Sequence, residues 1–185
     1  MLFLIICLLQ SFQTKLAVDV KQMTHRELFG QMLMLGIKNQ QLSQNEIHWL
    51  KNDGIGAIIL LKRNVPNSRQ ELKKIIATYK KVALTQKNQI PILIAVDQEN
   101  GVISRLQGLV TELPNAYALG KLNDTLLTEQ VAEISGKELR SLGIHWSLSP
   151  VADVHSNPIN PIIGVRSFGE SPNLVKNHTK AYIKG

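Results

Sequence analysis

Pro91-Ile92-Leu93-Ile94-Ala95-Val96-Asp97-Gln98-Glu99-Asn100-Gly101 is the stretch on which the fold turns. Its first six residues are apolar and do not alternate. A half-buried strand alternates, whereas an unbroken Ile/Leu/Val run suits a strand covered on both faces, as in a parallel sheet under helices. The last five residues are polar and end in Asn-Gly, a pair that accepts positive φ and turns the chain. A carboxylate-rich turn at the carboxyl end of a buried parallel strand is where α/β proteins meet their ligands.

The pattern repeats outward from this point. Ile55-Gly56-Ala57-Ile58-Ile59-Leu60-Leu61 follows the helix-stopping Gly54 and runs into Lys62-Arg63-Asn64. Gln31-Met32-Leu33-Met34-Leu35-Gly36 finishes a helix and enters a first strand, and Ile144 to Val151 reads as a fourth. Helix starts lie between the runs. Thr24 with Glu27, Ser43 with Glu46 and Ser68 with Glu71 each fit the S/T-x-x-E capping box, in which the hydroxyl accepts the N3 amide and the glutamate reaches back to the N-cap amide. Asp124 or Thr125 opens a further helix that runs to about Leu142 and stops at Gly143. Ser171-Pro172 opens the last one. Strand then helix, about four times over, means an α/β protein with parallel strands: a doubly wound sheet or a (β/α)8 TIM-type barrel. A complete barrel takes about 250 residues. If the pattern is a barrel, these 185 residues hold an incomplete one of about four βα units, with two strand edges left unpaired and open to aggregation.

Composition bounds the function. Apolar residues make up 44% and charged residues 19%, an ordinary globular balance that excludes a disordered chain. The formal charge of +7 comes from scattered lysines, the densest being Lys73 with Lys74 and Lys80 with Lys81 inside a predicted helix. That is a solvated helix face, and no nucleic-acid partner is expected. The single cysteine, Cys7, allows no intramolecular disulfide and no CxxC metal site. Met1 to Leu9 is an apolar run too short to span a membrane, which takes about 20 residues, and no later segment does better. Its length suits the core of a secretory signal, although no positive residue precedes it. Residues 1–17 are thus expected to be a leader or signal segment and 18–185 the folded body. The compartment is periplasmic or external if that segment is a signal, and cytoplasmic otherwise.

Polar residues gather after the strands. Arg63 and Asn64 follow the second, Asp97 and Glu99 the third, Asp153 and His155 the fourth, with Arg105 and Arg166 further along. A carboxylate at a strand end accepts charge-assisted hydrogen bonds from sugar hydroxyls, and arginine donates several from a planar fork. Each residue keeps a structural alternative at this stage: Asp97 capping its turn, the arginines in surface ion pairs, Asp153 orienting a loop, His155 as a loop histidine. Trp49 and Trp146 read as core. No Gly-rich phosphate loop, nucleophile elbow or HExxH is present, so neither a cofactor nor a metal is expected.

Six segments in order carry a family resemblance: Gly30 to Gly36, Gly56 to Asn64, Ile94 to Gly101 with Arg105-Leu106, Leu113-Pro114, Ser149-Pro150-Val151-Ala152-Asp153-Val154, and Gly164-Val165-Arg166-Ser167-Phe168. They resemble family 3 glycoside hydrolases, and within them the bacterial β-N-acetylhexosaminidases. The resemblance implies a (β/α)8 catalytic barrel, a retaining mechanism, release of terminal N-acetylglucosamine (GlcNAc) from glycans such as cell-wall fragments, and sugar contacts from Asp97, Arg105 and Arg166. Arg63, Asn64, Glu99 and Asp153 are expected to line the site. Two departures stand out. The family's Asp-Gln-Glu-Gly-Gly-Arg reads Asp97-Gln98-Glu99-Asn100-Gly101-Val102 here. The family's Lys-His-Phe-Pro-Gly-His-Gly, source of the acid/base histidine, and its later nucleophilic aspartate are not among these residues. No catalytic role is therefore assigned, and the chain is expected to need the C-terminal half of the barrel. A β-glucosidase-type member of the family and a non-catalytic sugar-binding remnant are the competing readings.

Overall fold

The computed structural model describes residues 18–185; the expected leader, with Cys7, lies outside them. Four parallel strands carry the fold: β1 (Met34–Gly36), β2 (Ala57–Leu60), β3 (Leu93–Val96) and β6 (Trp146–Ser147), hydrogen-bonded in that order. The hairpin β4 (Gln98–Asn100) and β5 (Ile103–Ser104) interrupts the rhythm after β3. Helices α1 (His25–Gln31), α2 (Gln44–Asn52), α3 (Arg69–Ala83), α4 (Ala116–Leu122), α5 (Thr125–Leu142) and α6 (Pro172–Lys184) complete the described chain. A doubly wound sheet reverses its strand order at a switch point. Here each of the four sheet strands pairs with the next sheet strand along the sequence, always parallel, with the β4–β5 hairpin set apart, which is the arc of a barrel.

The apolar runs behave as strands covered on both faces. Ile58, Leu60, Ile94, Ala95 and Val96 are each 0% exposed. Helix α3 lays Leu72, Ile76, Tyr79 and Ala83 onto them, one stripe at helical spacing. The fourth strand is shorter than expected. Its ladder to β3 covers Ala95↔Trp146 and Val96↔Ser147, with His145 N and Leu148 N adding one bond at each end. Beyond Val96 the β3 chain leaves for the hairpin, so the residues after Leu148 have no partner there, and Pro150 has no N–H to offer. Trp146 is 47% exposed on this strand and Trp49 is 42% exposed on α2. Neither is core, because the covered faces are filled by aliphatic side chains and both tryptophans lie outside them.

The predicted caps form with two departures, at Ser68 and Ser171. Thr24 and Ser43 make complete capping boxes. Ser68 accepts from Glu71 N at 3.5 Å without the return bond. Asp124 caps α5, which ends at Gly143 with φ 87°. Ser171 precedes Pro172 at the start of α6 but makes no side-chain cap bond. Glu46, almost wholly buried, does more than close its box. One carboxylate oxygen accepts Lys38 N at 2.8 Å, and the other accepts Ser43 N and Ser43 Oγ, both at 2.7 Å. Burial alone raises its pKa, but the Lys38 and Ser43 donors outweigh burial and the net shift is downward.

The α1–β2 junction is a backbone contact. Gly30 O accepts Gly56 N at 3.0 Å, and a Cβ on Gly30 would sit 1.7 Å from Asp53 O. Gly30→Ala is therefore expected to destabilise by about 3 kcal/mol or more. Gly136→Ala, in the interior of α5 with nothing within 4 Å of a new Cβ, is expected to stabilise by up to about 1 kcal/mol. Urea unfolding of the two variants checks the pair. Glu46 predicts an acid limb. Because its folded pKa lies below the ordinary 4.5, its contribution is complete above that value and is lost as the pH falls through the folded pKa. Glu46→Gln should lose about 2 kcal/mol at neutral pH and flatten the stability profile below pH 4.5, measured as urea midpoints against pH.

Candidate functional site

Polar groups converge at the carboxyl ends of β2, β3 and β6. Asp97 follows β3 directly and leads into the hairpin. Side chains on a strand alternate between faces, and here Gln98 and Asn100 are buried while Asp97 and Glu99 are partly open. Gln98 holds the hairpin in place. Its amide donates to Ser104 Oγ at 2.8 Å, its Oε1 accepts Leu106 N at 3.1 Å, and its backbone oxygen accepts Ser147 Oγ at 3.2 Å, tying the hairpin to β6. The turn uses positive φ at Asn100 (67°) and Gly101 (70°), as the sequence predicts. Asparagine thus supports the conformation at a position where the family has glycine. A side chain at residue 101 would meet Asn115 Cβ at 2.7 Å.

The returning strand brings Arg105 beside Asp97. The guanidinium lies 3.6 Å from the carboxylate, and Arg105 N donates to Asp97 O at 3.3 Å. Arg166 arrives from the loop after β6, on the 3-10 turn Gly164–Arg166. Its Nε and a terminal nitrogen donate to the two oxygens of Glu99 at 2.7 and 2.8 Å, and its other terminal nitrogen donates to Ile162 O at 3.2 Å. This parallel two-bond pairing fixes the plane of the guanidinium. It keeps Arg166 charged: the Glu99 hydrogen bonds raise its pKa against the opposing effect of burial, and the charges of Glu99, Asp153 and Asp97 add to the rise.

The Arg166 loop is anchored at several points. Ser167 is fully buried; its hydroxyl donates to Asp153 O at 2.6 Å and accepts Gly169 N at 3.1 Å. His155 N donates to Gly169 O at 2.9 Å. Phe168 is buried against α4, where a Cβ on Gly120 would sit 1.7 Å from Phe168 O, and it stacks on His178 of α6 at 5.2 Å. Two helices therefore position one arginine.

The predicted residues separate into groups. Asp97 with Arg105, and Glu99 with Arg166, form two ion pairs at the ends of neighbouring strands. Asp153 contributes its backbone oxygen to the loop and leaves its carboxylate exposed. Arg63 is exposed at the end of β2, with Nε donating to Ile37 O at 3.2 Å. Asn64 does not line the site. It is 0% exposed, and its amide is spent on Leu61 N, Ile37 O and Asn39 O. Buried backbone groups of the β1–α2 connection need those bonds, and Asn64 shares Ile37 O with Arg63 and Asn39 O with the Tyr79 hydroxyl. Gln98, Ser147 and Ser167 were not singled out by the sequence. Their partners lie on other elements or across a turn, and a single polar residue at a strand end or in a loop carries no periodic signal. Among the described residues no group of three His, Cys, Asp or Glu side chains is placed to hold a metal, and no helix is long and apolar enough to cross a membrane.

Residues 23–185 match the family model of the glycosyl hydrolase family 3 N terminal domain. The chain belongs to glycoside hydrolase family 3. A beta-hexosaminidase of Stenotrophomonas maltophilia (strain R551-3) is 34% identical over 160 residues, 83% of this chain and 45% of that protein. Beta-hexosaminidase A of Pseudoalteromonas piscicida is 38% identical over 135 residues, 70% of this chain and 22% of that one. Among solved structures, a family 3 beta-N-acetylglucosaminidase from Paenibacillus sp. str. FPU-7 superposes with a TM-score of 0.82 at 34% identity, covering 88% of this chain and 30% of that one. Native NagZ from Neisseria gonorrhoeae superposes at 0.72 and 31%, covering 82% and 44%. This family 3 chain spans less than half the length of the curated relatives it matches. Its sequential parallel arc is a partial TIM-type barrel of the kind those family 3 structures contain.

The Glu99–Arg166 pair is three-quarters buried or more on both sides. Glu99→Gln should cost about 2–3 kcal/mol in urea unfolding, because it leaves a partly buried guanidinium without its ionic partner. Arg166→Lys, which cannot make two parallel bonds, should fall between that variant and the parent. Asp97→Asn, at a longer and more exposed pair, should cost under about 1 kcal/mol.

Proposed function

We propose that this chain supplies the sugar-recognising side of the active site of a retaining β-N-acetylhexosaminidase, which releases terminal GlcNAc from glycans such as cell-wall fragments. The observation that carries this reading is the pairing of two arginines with two carboxylates, Arg105 with Asp97 and Arg166 with Glu99, at the ends of adjacent barrel strands. A neutral sugar needs both acceptors and donors held at fixed positions. Here Asp97 offers carboxylate oxygens to hydroxyl groups, while Arg105 and Arg166 donate from guanidinium forks. Glu99 orients Arg166, so the fork is set before the sugar arrives and binding spends little on ordering it. The hexosaminidase names of the sequence relatives and structural neighbours favour GlcNAc over glucose as the terminal residue.

In this reading the reaction proceeds by carboxylate attack on the anomeric carbon, through a glycosyl-enzyme intermediate. The present residues bind and orient. The acid/base histidine and the nucleophilic aspartate belong to the remaining barrel strands, and neither Glu99 nor Asp153 takes their place, since Glu99 is committed to Arg166.

A titration of isotope-labelled protein with GlcNAc, followed by amide NMR, tests the proposal. Resonances of the Asp97–Arg105 hairpin and the Gly164–Phe168 loop should shift at millimolar sugar, and glucose should act more weakly. Asp97→Asn should weaken binding roughly ten- to a hundredfold. The 185-residue chain should release no nitrophenol from a GlcNAc nitrophenyl glycoside. Equal shifts with glucose would move the assignment to the glucosidase type, and steady nitrophenol release would overturn the division of labour.

A further inference from the structure

At the amino ends of the strands, opposite the candidate site, one lysine departs from the solvated face expected for its helix. Lys80 Nζ lies 3.0 Å from His145 Nε2, and His145 Nδ1 accepts the backbone N–H of Ile94 at 3.1 Å. A neutral imidazole has one bare nitrogen. If Nδ1 is committed to Ile94 N–H, the ring proton sits on Nε2, which must donate. Only an unprotonated amine accepts that bond. Giving up the Ile94 bond instead would strand a backbone donor in a residue that is 0% exposed, at a cost comparable to a lost hydrogen bond.

The surroundings favour the same proton arrangement. Among the described residues Lys80 takes part in none of the ion pairs. Facing His145 from α5 is Arg140, with Lys137 and Glu133 lining the same hollow, and Glu133 is already paired to Lys137 at 2.6 Å. On α3 the residues one turn either side of Lys80 are the apolar Ile76 and Leu84. Burial lowers the pKa of Lys80, and burial with the charge of Arg140 lowers that of His145. Lys80 is still partly open to solvent.

We infer that Lys80 is a nucleophilic lysine and a site of acylation by small activated acyl donors, acyl phosphates or acyl thioesters. The amine lone pair that accepts His145 N–H turns to the acyl carbon. A nitrogen–carbon bond forms while the carbon–oxygen bond to phosphate, or the carbon–sulfur bond to the thiol, breaks, and the leaving group keeps the electron pair. The surplus proton on nitrogen goes to water. The new amide oxygen then offers His145 Nε2–H an acceptor, so the contact survives the modification. This inference stands apart from the sugar site and does not depend on it.

Competitive labelling of the purified protein with trace acetic anhydride, read lysine by lysine by mass spectrometry between pH 7 and 11, tests it. Lys80 should react at least tenfold faster than Lys73 at pH 7.5, with its rate midpoint at lower pH. Parallel incubations with acetyl phosphate and with acetyl-coenzyme A identify the donor class; modification of Lys80 ahead of Lys73 and Lys74 in either supports the site. His145→Phe should bring the Lys80 rate to within about threefold of Lys73, with folding checked by circular dichroism. Should that variant not fold, Arg140→Gln, which removes a neighbouring cation, should lower the Lys80 rate instead. A Lys80 rate equal to or below that of Lys73 at every pH, with no preference in either donor arm, overturns the inference.

Discussion

The pairing of β2 with β3 is the constraint on which the remaining architecture depends. Four consecutive residue pairs, Ala57↔Leu93 to Leu60↔Val96, run in register, and six of their eight side chains are buried. Strands of this kind have no polar face, so both sides must be covered, and that requirement places α3 where it lies. Slipping the register by one residue would exchange the two faces of each strand and carry Asp97 away from the end of the sheet. The position of the candidate site is thus a consequence of aliphatic packing beneath it.

Above that layer the site is held by charge. Arg166 comes from the loop after β6 and Glu99 from the hairpin strand β4, and their two hydrogen bonds join the β3 end to the β6 end. Removing either charge from water costs several kcal/mol unless the partner is well aligned. The Ser167 bonds and the close approach of Phe168 O to Gly120 supply that alignment from the opposite side of the loop. A helix contact at Gly120 therefore helps to set the direction of the Arg166 donors.

The sequence carried the strands and most helix starts because their signals are local. Unbroken Ile/Leu/Val runs and S/T-x-x-E spacings need no knowledge of the rest of the chain, and Asn100-Gly101 announced its turn in the same way. Features that depend on distant partners did not show. The hairpin strands β4 and β5 are short and mostly polar, and α4 has a single Asn115 cap and only two turns. Fourth-strand length was overread because apolar composition continues past the point where β3 departs. At the site, Asp97, Glu99, Arg105 and Arg166 were legible as charged residues after strands, with their grouping implied by the family resemblance. Which carboxylate holds which arginine was not legible, since residue type does not encode a pairing. Asn64 stands in a polar cluster in the sequence, yet its amide is consumed by carbonyls brought near only by folding.

The strand order has a consequence in time as well as in space. Since β1, β2, β3 and β6 each pair with the next strand along the chain, no strand waits for a partner from the far end of the described chain. Each helix closes over its strand before the next strand is needed. A chain emerging from the ribosome at about 5–20 residues per second can therefore add one unit at a time to a growing arc. In such vectorial growth the exposed edge moves forward with synthesis, and the Arg166 loop, emerging after the hairpin, completes the grouping begun by Asp97 and Glu99.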